Sequence, residues 1–419
     1  MLEQMNVYYE GWGERWLWGT LVSTTTLTGR PQIVFEYSNE AKQRGLELSS
    51  YTLPLKGPQL RRDFPSHQWG LPGPVYDSLP DGWGMLLMDR LFKRRGLVSA
   101  RIGPLERLTY IGGNAMGAMS FEPAMPAERE PDVHISLDQL VAEVQDVLYG
   151  DGGEFLQRLL LVGGSPQGAR PKALVYRDPQ TGTFTTAVTP GFEAWLVKFP
   201  ARGEHAEVCA VENVYAECLR MCGIPTPDTQ YFCLPNGLAA FASKRFDRQN
   251  GQRVPMQSLA AFTGADYQYP GVLDYVNFLR ATQMCTNDVR EKACVFARAV
   301  FNVAFNNRDD HPKNFAYLMS STGSWKLAPA YDVTFCEGPG GYHQMDIMGE
   351  ALEIDRVAIL RLAHEAEIST KISDQIIGRI CEVASQFMII AKNLHPQAIT
   401  QDTLNIIQHR INQNITLLN

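Results

Sequence analysis

The 419 residues carry 38 Lys and Arg against 45 Asp and Glu, a formal net charge of −7, which excludes a global basic field for holding nucleic acid nonspecifically. Hydrophobic residues at 45 %, charged residues at 20 % and 35 Gly with 25 Pro spread along the chain exclude collagen-like, low-complexity and disordered character. At roughly 100–200 residues per domain, the length predicts two to three domains with a sizeable core. Eight cysteines without a CxxC pair (Cys209, Cys218, Cys222, Cys233, Cys285, Cys294, Cys336 and Cys381) suit reduced thiols in a cytosol. The start, MLEQMNVYYEGWGERW, lacks a basic segment followed by an apolar one, and no run of about 18 apolar residues occurs. A cytoplasmic protein is expected, with no membrane span.

Residues 1–125 mix β-type runs at Gln32–Tyr37, Ser50–Leu55 and Gly117–Phe121 with Gly/Pro turns and one helix around Trp83–Arg95, which predicts an α+β module. The Pro- and Glu-rich stretch Phe121–Pro131 marks a linker. Ser136-Leu-Asp-Gln139 then forms a capping-box pattern before Leu137, Leu140, Val141, Val144, Val147 and Leu148, spaced for one helix face. Strand-like runs follow at Leu159–Val162, Ala173–Tyr176, Trp195–Phe199 and Leu238–Ser243, interrupted by a helix at Glu207–Cys222. Helical spacing dominates from there, at Val272–Met284, Asp288–Asn307, Ile354–Ile368, Ser373–His395 and Thr403–Leu417. The expected division is 1–125, a sheet-rich lobe at 132–245 and a helical lobe at 246–419.

Four constellations carry candidate chemistry. The segment Val162–Val175 is glycine-rich, and glycines let backbone amides approach phosphate oxygens, although Gly168 is followed by Ala169 where a P-loop would have Lys. A surface hairpin explains such a loop equally well. Lys198 lies inside the apolar strand Trp195–Phe199, where a buried ammonium needs an anionic partner such as an ATP phosphate, or a carboxylate such as Glu212 on the next helix. An exposed position on an edge strand is the simpler alternative. Asn307-Arg-Asp-Asp-His-Pro-Lys-Asn314 follows a long amphipathic helix, with Asp309 suited to accept a hydroxyl proton and Asn314 to offer a neutral oxygen to Mg²⁺. Its alternative is a helix end built of capping residues, with Pro312 stopping the helix. Asp332, after Leu327-Ala-Pro-Ala-Tyr331, returns through a Gly323 turn and would add a carboxylate to a hard-oxygen site, or be an ordinary turn residue. In order, glycine loop, strand Lys, helix Glu, Asp-x4-Asn and late Asp are the parts of a two-lobed kinase, without the usual HRD, DFG or APE strings.

On these residues the chain resembles the HipA family of bacterial toxin–antitoxin serine/threonine kinases. The resemblance runs through Ser50–Leu55, Ser78-Leu-Pro-Asp-Gly82, Ile111–Gly117, Gly163–Lys172, Val197–Pro200, Ser243–Arg248, Asn307–Asn314 and Ala328–Val333. It implies an α+β, two-lobed protein-kinase-like fold, a small sheet-rich lobe and a larger helical lobe, preceded by an N-terminal subdomain. It further implies Asp309 as catalytic base, Asn314 and Asp332 as Mg²⁺ ligands, and Lys198 as the phosphate-binding lysine. Gln167, Gly168, Ala169, Arg170, Pro171 and Lys172 would cover the ATP phosphates, Lys244, Arg245 and Phe246 would form the adenine hinge, and His311, Pro312, Lys313 and Tyr331 would lie against the nucleotide. Ser165 falls where relatives autophosphorylate, and a phosphate of about −1.5 to −2 charges there would expel the loop. Many relatives have Glu two residues after Glu212, where this chain has Val214.

The implied activity is ATP- and Mg²⁺-dependent phosphorylation of a cellular protein, with an aminoacyl-tRNA synthetase as the family's precedent. A HipB-like helix-turn-helix antitoxin would be the partner, reaching operator DNA on the toxin's behalf. Two alternatives stand beside it: a small-molecule hydroxyl kinase of related fold, and a corepressor that acts mainly by docking onto the antitoxin.

Overall fold

A computed structural model describes residues 2–25, 31–125, 136–150, 168–186 and 188–419. The chain forms two compact units, Met1–Glu204 with Leu234–Gln257 and Leu318–Gly323, and His205–Cys233 with Ser258–Tyr317 and Ser324–Asn419. Among the described residues no helix is long and apolar enough to cross a membrane.

The first unit opens with strands β1 (Gln4–Tyr9), β2 (Trp16–Thr25) and β3 (Pro31–Tyr37), the helix α1 (Asn39–Arg44) and the short strand β4 (Leu60–Arg61). Helices α2 (Gly73–Tyr76), α3 (Gly82–Arg94) and α4 (Pro104–Ile111) follow, then β5 (Met119–Glu122). The strands pair antiparallel in the order β4-β3-β2-β1-β5. Period-two alternation turns Met5, Val7 and Tyr9 inward, with Leu21 opposite Met5 and Phe121 opposite Val7. In α3, Trp83, Leu87, Met88, Leu91 and Phe92 recur at three- and four-residue spacing and are all buried. The expected run Ser50–Leu55 is instead a turn. Ser49 accepts the Leu53 N–H on its carbonyl and the Thr52 N–H on its hydroxyl, a local bond that outcompetes a ladder.

Helix α5 (Leu137–Tyr149) begins with the expected capping box, Ser136 and Gln139 each bonding the other's backbone. Strands β6 (Lys172–Arg177), β7 (Phe184–Thr185), β8 (Glu193–Lys198) and the strand Ala239–Lys244 make the unit's second sheet, with β6 and Ala239–Lys244 each antiparallel to β8.

The second unit is mostly helical: Glu207–Met221, Leu259–Thr263, Tyr275–Thr286, Glu291–Ala304, Arg356–Glu365, Thr370–Ser385, Phe387–Leu394 and Gln401–Leu418. The run expected as one helix over Ser373–His395 breaks at Gln386, whose backbone leaves the helical region at φ −100 and ψ 5. Glu291–Ala304 is the central helix. Val295, Phe296, Ala299, Val300, Phe301, Val303 and Ala304 are all buried in one core cluster, and Phe301 stacks on Phe305 at 4.1 Å. Truncating such a ring to Ala costs about 3–5 kcal/mol, so the segment leaving this helix starts from a fixed point.

Candidate functional site

The central helix stops because Asn306 takes the left-handed conformation at φ 53, a common end for a helix. The chain beyond it is tied on both sides. Cys336 N–H donates to the Asn306 carbonyl at 3.1 Å, Arg308 N–H donates to the Cys336 carbonyl at 3.2 Å, and Asn414 Nδ2 donates to the Val303 carbonyl at 2.9 Å. These bonds hold the polar run 307–314 in place although it has little regular structure.

Within that run Asn314 Nδ2 donates to the backbone carbonyl of Asp309 at 2.8 Å, which closes the loop on itself and leaves Asn314 Oδ1 as the amide's acceptor oxygen. The Lys313 N–H donates to His311 Nδ1 at 3.2 Å, so a neutral His311 carries its proton on Nε2, 3.8 Å from Asp309 Oδ1. Gln344 Nε2 donates to the same Asp309 oxygen at 3.0 Å. Burial raises the Asp309 carboxyl, His311 opposes the shift, and Asp332 and Asp310 add to it. With its side chain 45 % exposed, solvent limits the rise.

Asp332 sits at φ 54, a left-handed backbone uncommon for a residue with a Cβ, and such strain clusters at functional sites. Tyr331 O–H donates to the Lys313 carbonyl at 2.7 Å. Lys313 is buried, with Nζ 4.4 Å from the Tyr267 ring centroid, and the His311 ring lies 5.5 Å from that ring. A small cleft is lined by Leu219, Arg298, Asn302, Asn314, Phe315, Ala330, Tyr331 and Val333. Arg298 is 4 % exposed and donates one nitrogen to the Ala328 carbonyl, while its Nε and Nη1 have no hydrogen-bond partner among the described residues. Burial pushes this guanidinium down to about 10. Glu212, on the helix Glu207–Met221, is buried at 3 % exposure.

The first unit holds the other candidate residues. Lys172 and Lys198 are direct antiparallel partners on β6 and β8, so their side chains project to one sheet face, and both are buried, at 2 % and 5 % exposure. Lys198 is therefore not the exposed edge residue of the simpler alternative. Gly168, at φ 107, donates its N–H to Asp81 Oδ1, and its carbonyl accepts the Trp83 N–H at 3.1 Å. Trp83 Nε1 donates to the Lys172 carbonyl at 3.1 Å. The Ser78–Gly82 motif thus leads into the start of α3, which grips the end of the glycine-rich segment. Arg170 bonds Glu204 at 3.0 Å, and Pro171 is buried. Ser165 and Gln167 lie outside the described residues, as does the run Leu159–Val162.

Of the expected hinge, Lys244 Nζ donates to Glu193 at 2.6 Å and Phe246 is half-buried. The Arg245 side chain is buried and forks onto Asp247 at 2.8 and 2.9 Å, and its backbone N–H donates to the Ala194 carbonyl at 2.9 Å. Pro312 is buried at the start of a short 3₁₀ turn.

The residues fit a hard divalent cation in type. Mg²⁺ keeps several waters and takes one or two carboxylates plus phosphate oxygens, so one carboxylate (Asp332) and one amide oxygen (Asn314) form a suitable donor set. Among the described residues no group of three or more His, Cys, Asp or Glu is placed to hold a metal. The sequence reading missed Gln344, His343 and Tyr275 around Asp309 and Asp310, since each lies more than 30 residues away and reaches the loop only through a tertiary hydrogen bond.

Comparison with known proteins gives two family matches. Residues 14–122 match the model of the HipA N-terminal domain, and residues 164–387 match that of the HipA-like C-terminal domain. A solved structure described as the Shewanella oneidensis MR-1 toxin antitoxin system HipA, HipB and its operator DNA complex aligns over 99 % of this chain and 96 % of that one, at 16 % identity and a TM-score of 0.71. A weaker alignment, TM-score 0.37 and 12 % identity over 54 % of this chain and 87 % of the other, is to the Helicobacter pylori proinflammatory kinase CtkA. The expected α+β, kinase-like fold with sheet-rich and helical parts is the fold observed.

Proposed function

We propose, since the chain belongs to the HipA family, that it is an ATP- and Mg²⁺-dependent serine/threonine protein kinase and the toxin of a toxin–antitoxin pair. The observation that carries the reading is the Asp309 loop: a carboxylate with one oxygen held by Gln344, and an asparagine five residues on that closes the loop and keeps its amide oxygen as an acceptor. Asp309 is the proposed base that takes the hydroxyl proton, and Asn314 and Asp332 are the proposed Mg²⁺ ligands. Bound metal would supply charge neutralisation at the transferring phosphoryl group. The cross-strand pair Lys172 and Lys198 supports phosphate binding, because it sets two cationic side chains on one face of the sheet just after the glycine-rich segment. Gly168 to Pro171 are proposed at the phosphates as well, with the Lys244–Phe246 backbone at adenine and His311, Lys313 and Tyr331 against the nucleotide. Glu212 is the proposed partner of Lys198, and Ser165 the proposed self-silencing site.

By likeness to the relative solved with HipB and operator DNA, the proposed partner is a HipB-like antitoxin that makes the DNA contacts. The proposed target is a cellular protein, an aminoacyl-tRNA synthetase by family precedent. Expression of the chain with and without Asp309→Ala tests the reading. Growth arrest lost in the variant, with expression level and melting temperature kept, supports a catalytic toxin, whereas arrest that survives the substitution contradicts it.

A further inference from the structure

Asp310 directly follows the proposed base and is 1 % exposed. Both its oxygens are occupied: Oδ1 accepts the Gln344 backbone N–H at 2.8 Å, and Oδ2 accepts the Tyr275 O–H at 2.8 Å and faces His343 Nδ1 at 2.9 Å. The bonding continues inward, with Asn302 Nδ2 donating to the Tyr275 hydroxyl at 2.9 Å. On the far side of residue 344, its carbonyl accepts the Gly271 N–H at 2.8 Å. The backbone of Gln344 is therefore pinned at both its donor and its acceptor. From that anchored backbone the side chain reaches Asp309 Oδ1 at 3.0 Å. The atom facing an ionised carboxylate must be the amide nitrogen, since the carboxylate only accepts.

We propose that Gln344 is a positioning residue for Asp309, holding one carboxylate oxygen so that Oδ2 faces the hydroxyl to be phosphorylated, and that the buried Asp310–His343 pair holds Gln344 in turn. The inference rests on the reading of Asp309 as the base. In the step it serves, Asp309 Oδ2 takes the hydroxyl proton as the new oxygen–phosphorus bond forms to the γ-phosphorus. The γ-phosphorus bond to the bridging oxygen breaks at the same time, and ADP leaves with that electron pair. A carboxylate without the amide turns about its own bond, and productive geometry is then met less often. Glutamine suits the place better than glutamate, which would set two carboxylates within hydrogen-bond distance of each other.

The test uses the full chain and Mg²⁺-ATP turnover read as ADP released, with Asp309→Asn, Gln344→Met and Gln344→Glu beside the parent. Gln344→Met keeps the length and loses the donor. It is expected to lower kcat about ten-fold, with KM for ATP within two-fold of the parent and an unchanged melting temperature, and Gln344→Glu is expected to lower kcat further. A full parental kcat in Gln344→Met, with Asp309→Asn inactive, overturns the positioning role alone. An active Asp309→Asn overturns the reading of the base beneath it. Equal losses in kcat, ATP affinity and melting temperature for both Gln344 variants assign the residue to the fold and overturn the proposal.

Discussion

Gly117 donates its backbone N–H to Asp247 Oδ2 at 2.8 Å, across 130 residues. The two belong to separate sequence motifs, Ile111–Gly117 and Ser243–Arg248, and the contact explains why both are rich in special residues. Gly117 is at φ 70, and a Cβ there would press on Met256 at 3.2 Å. Arg245 and Arg248 also bond Asp247, while Arg253 donates to the carbonyls of Gly113, Ala115, Gly117 and Met119. The arginines satisfy the backbone carbonyls of the turn that leads into β5.

Burial alone would raise the Asp247 carboxyl, but Arg245, Arg248 and the Gly117 amide outweigh it and hold it well below the usual range. A depressed carboxyl stabilises the fold above its unfolded value of about 3.9 and loses that contribution as pH falls below it. Asp247→Asn is expected to cost about 3–5 kcal/mol at pH 7, because it strands buried guanidinium groups. Its melting temperature should then fall less steeply than the parent's between pH 5 and pH 2. Parallel melting curves over that range would remove Asp247 from the acid response.

Gly82 lies at φ 39, and a Cβ there would come within 2.6 Å of the Gly168 carbonyl oxygen. Gly82→Ala should destabilise the chain by about 1–3 kcal/mol and lower Mg²⁺-ATP turnover, since it pushes the start of α3 off the stem that leads to Lys172. Gly113→Ala is the control: a Cβ there meets nothing within 4 Å. Melting temperature and turnover measured on both variants check this, and equal behaviour would contradict it.

At φ 54, Asp332 pays a conformational cost that glycine would not. Asp332→Gly should raise stability by about 1 kcal/mol while abolishing Mg²⁺-ATP turnover. Asp332→Asn, which tolerates the same backbone, should keep the parent's melting temperature and lose at least about 100-fold in turnover. A Gly variant that is both less stable and active would contradict the assignment of strain to a metal-binding carboxylate.

Much of this was legible in residue order, and the misses have physical causes. The helix at Trp83–Arg95, the capping box at Ser136 and the strand around Lys198 were readable because local periodicity and caps report local structure. Strands β1 and β2 were equally periodic, with Met5, Val7 and Tyr9 alternating inward, but the nearby glycines and tryptophans obscured the pattern. Ser50–Leu55 misled because a serine hydroxyl turned an apolar run into a tight turn. Among the candidate site residues, Asp309 and Asn314 drew attention by their spacing in one short polar stretch, and Asp332 by its place at the end of an apolar run. Gln344 carried no such mark: its meaning lies in a hydrogen bond spanning 35 residues, which no local pattern encodes.

The central claim is that this chain transfers phosphate from ATP through Asp309, and intact mass tests it most directly. The purified full-length protein, Asp309→Ala and Ser165→Ala would each be weighed before and after incubation with Mg²⁺ and ATP. A gain of one phosphate in the parent, absent from both variants, is the predicted result. No gain in any sample, from protein that starts unphosphorylated, would contradict it.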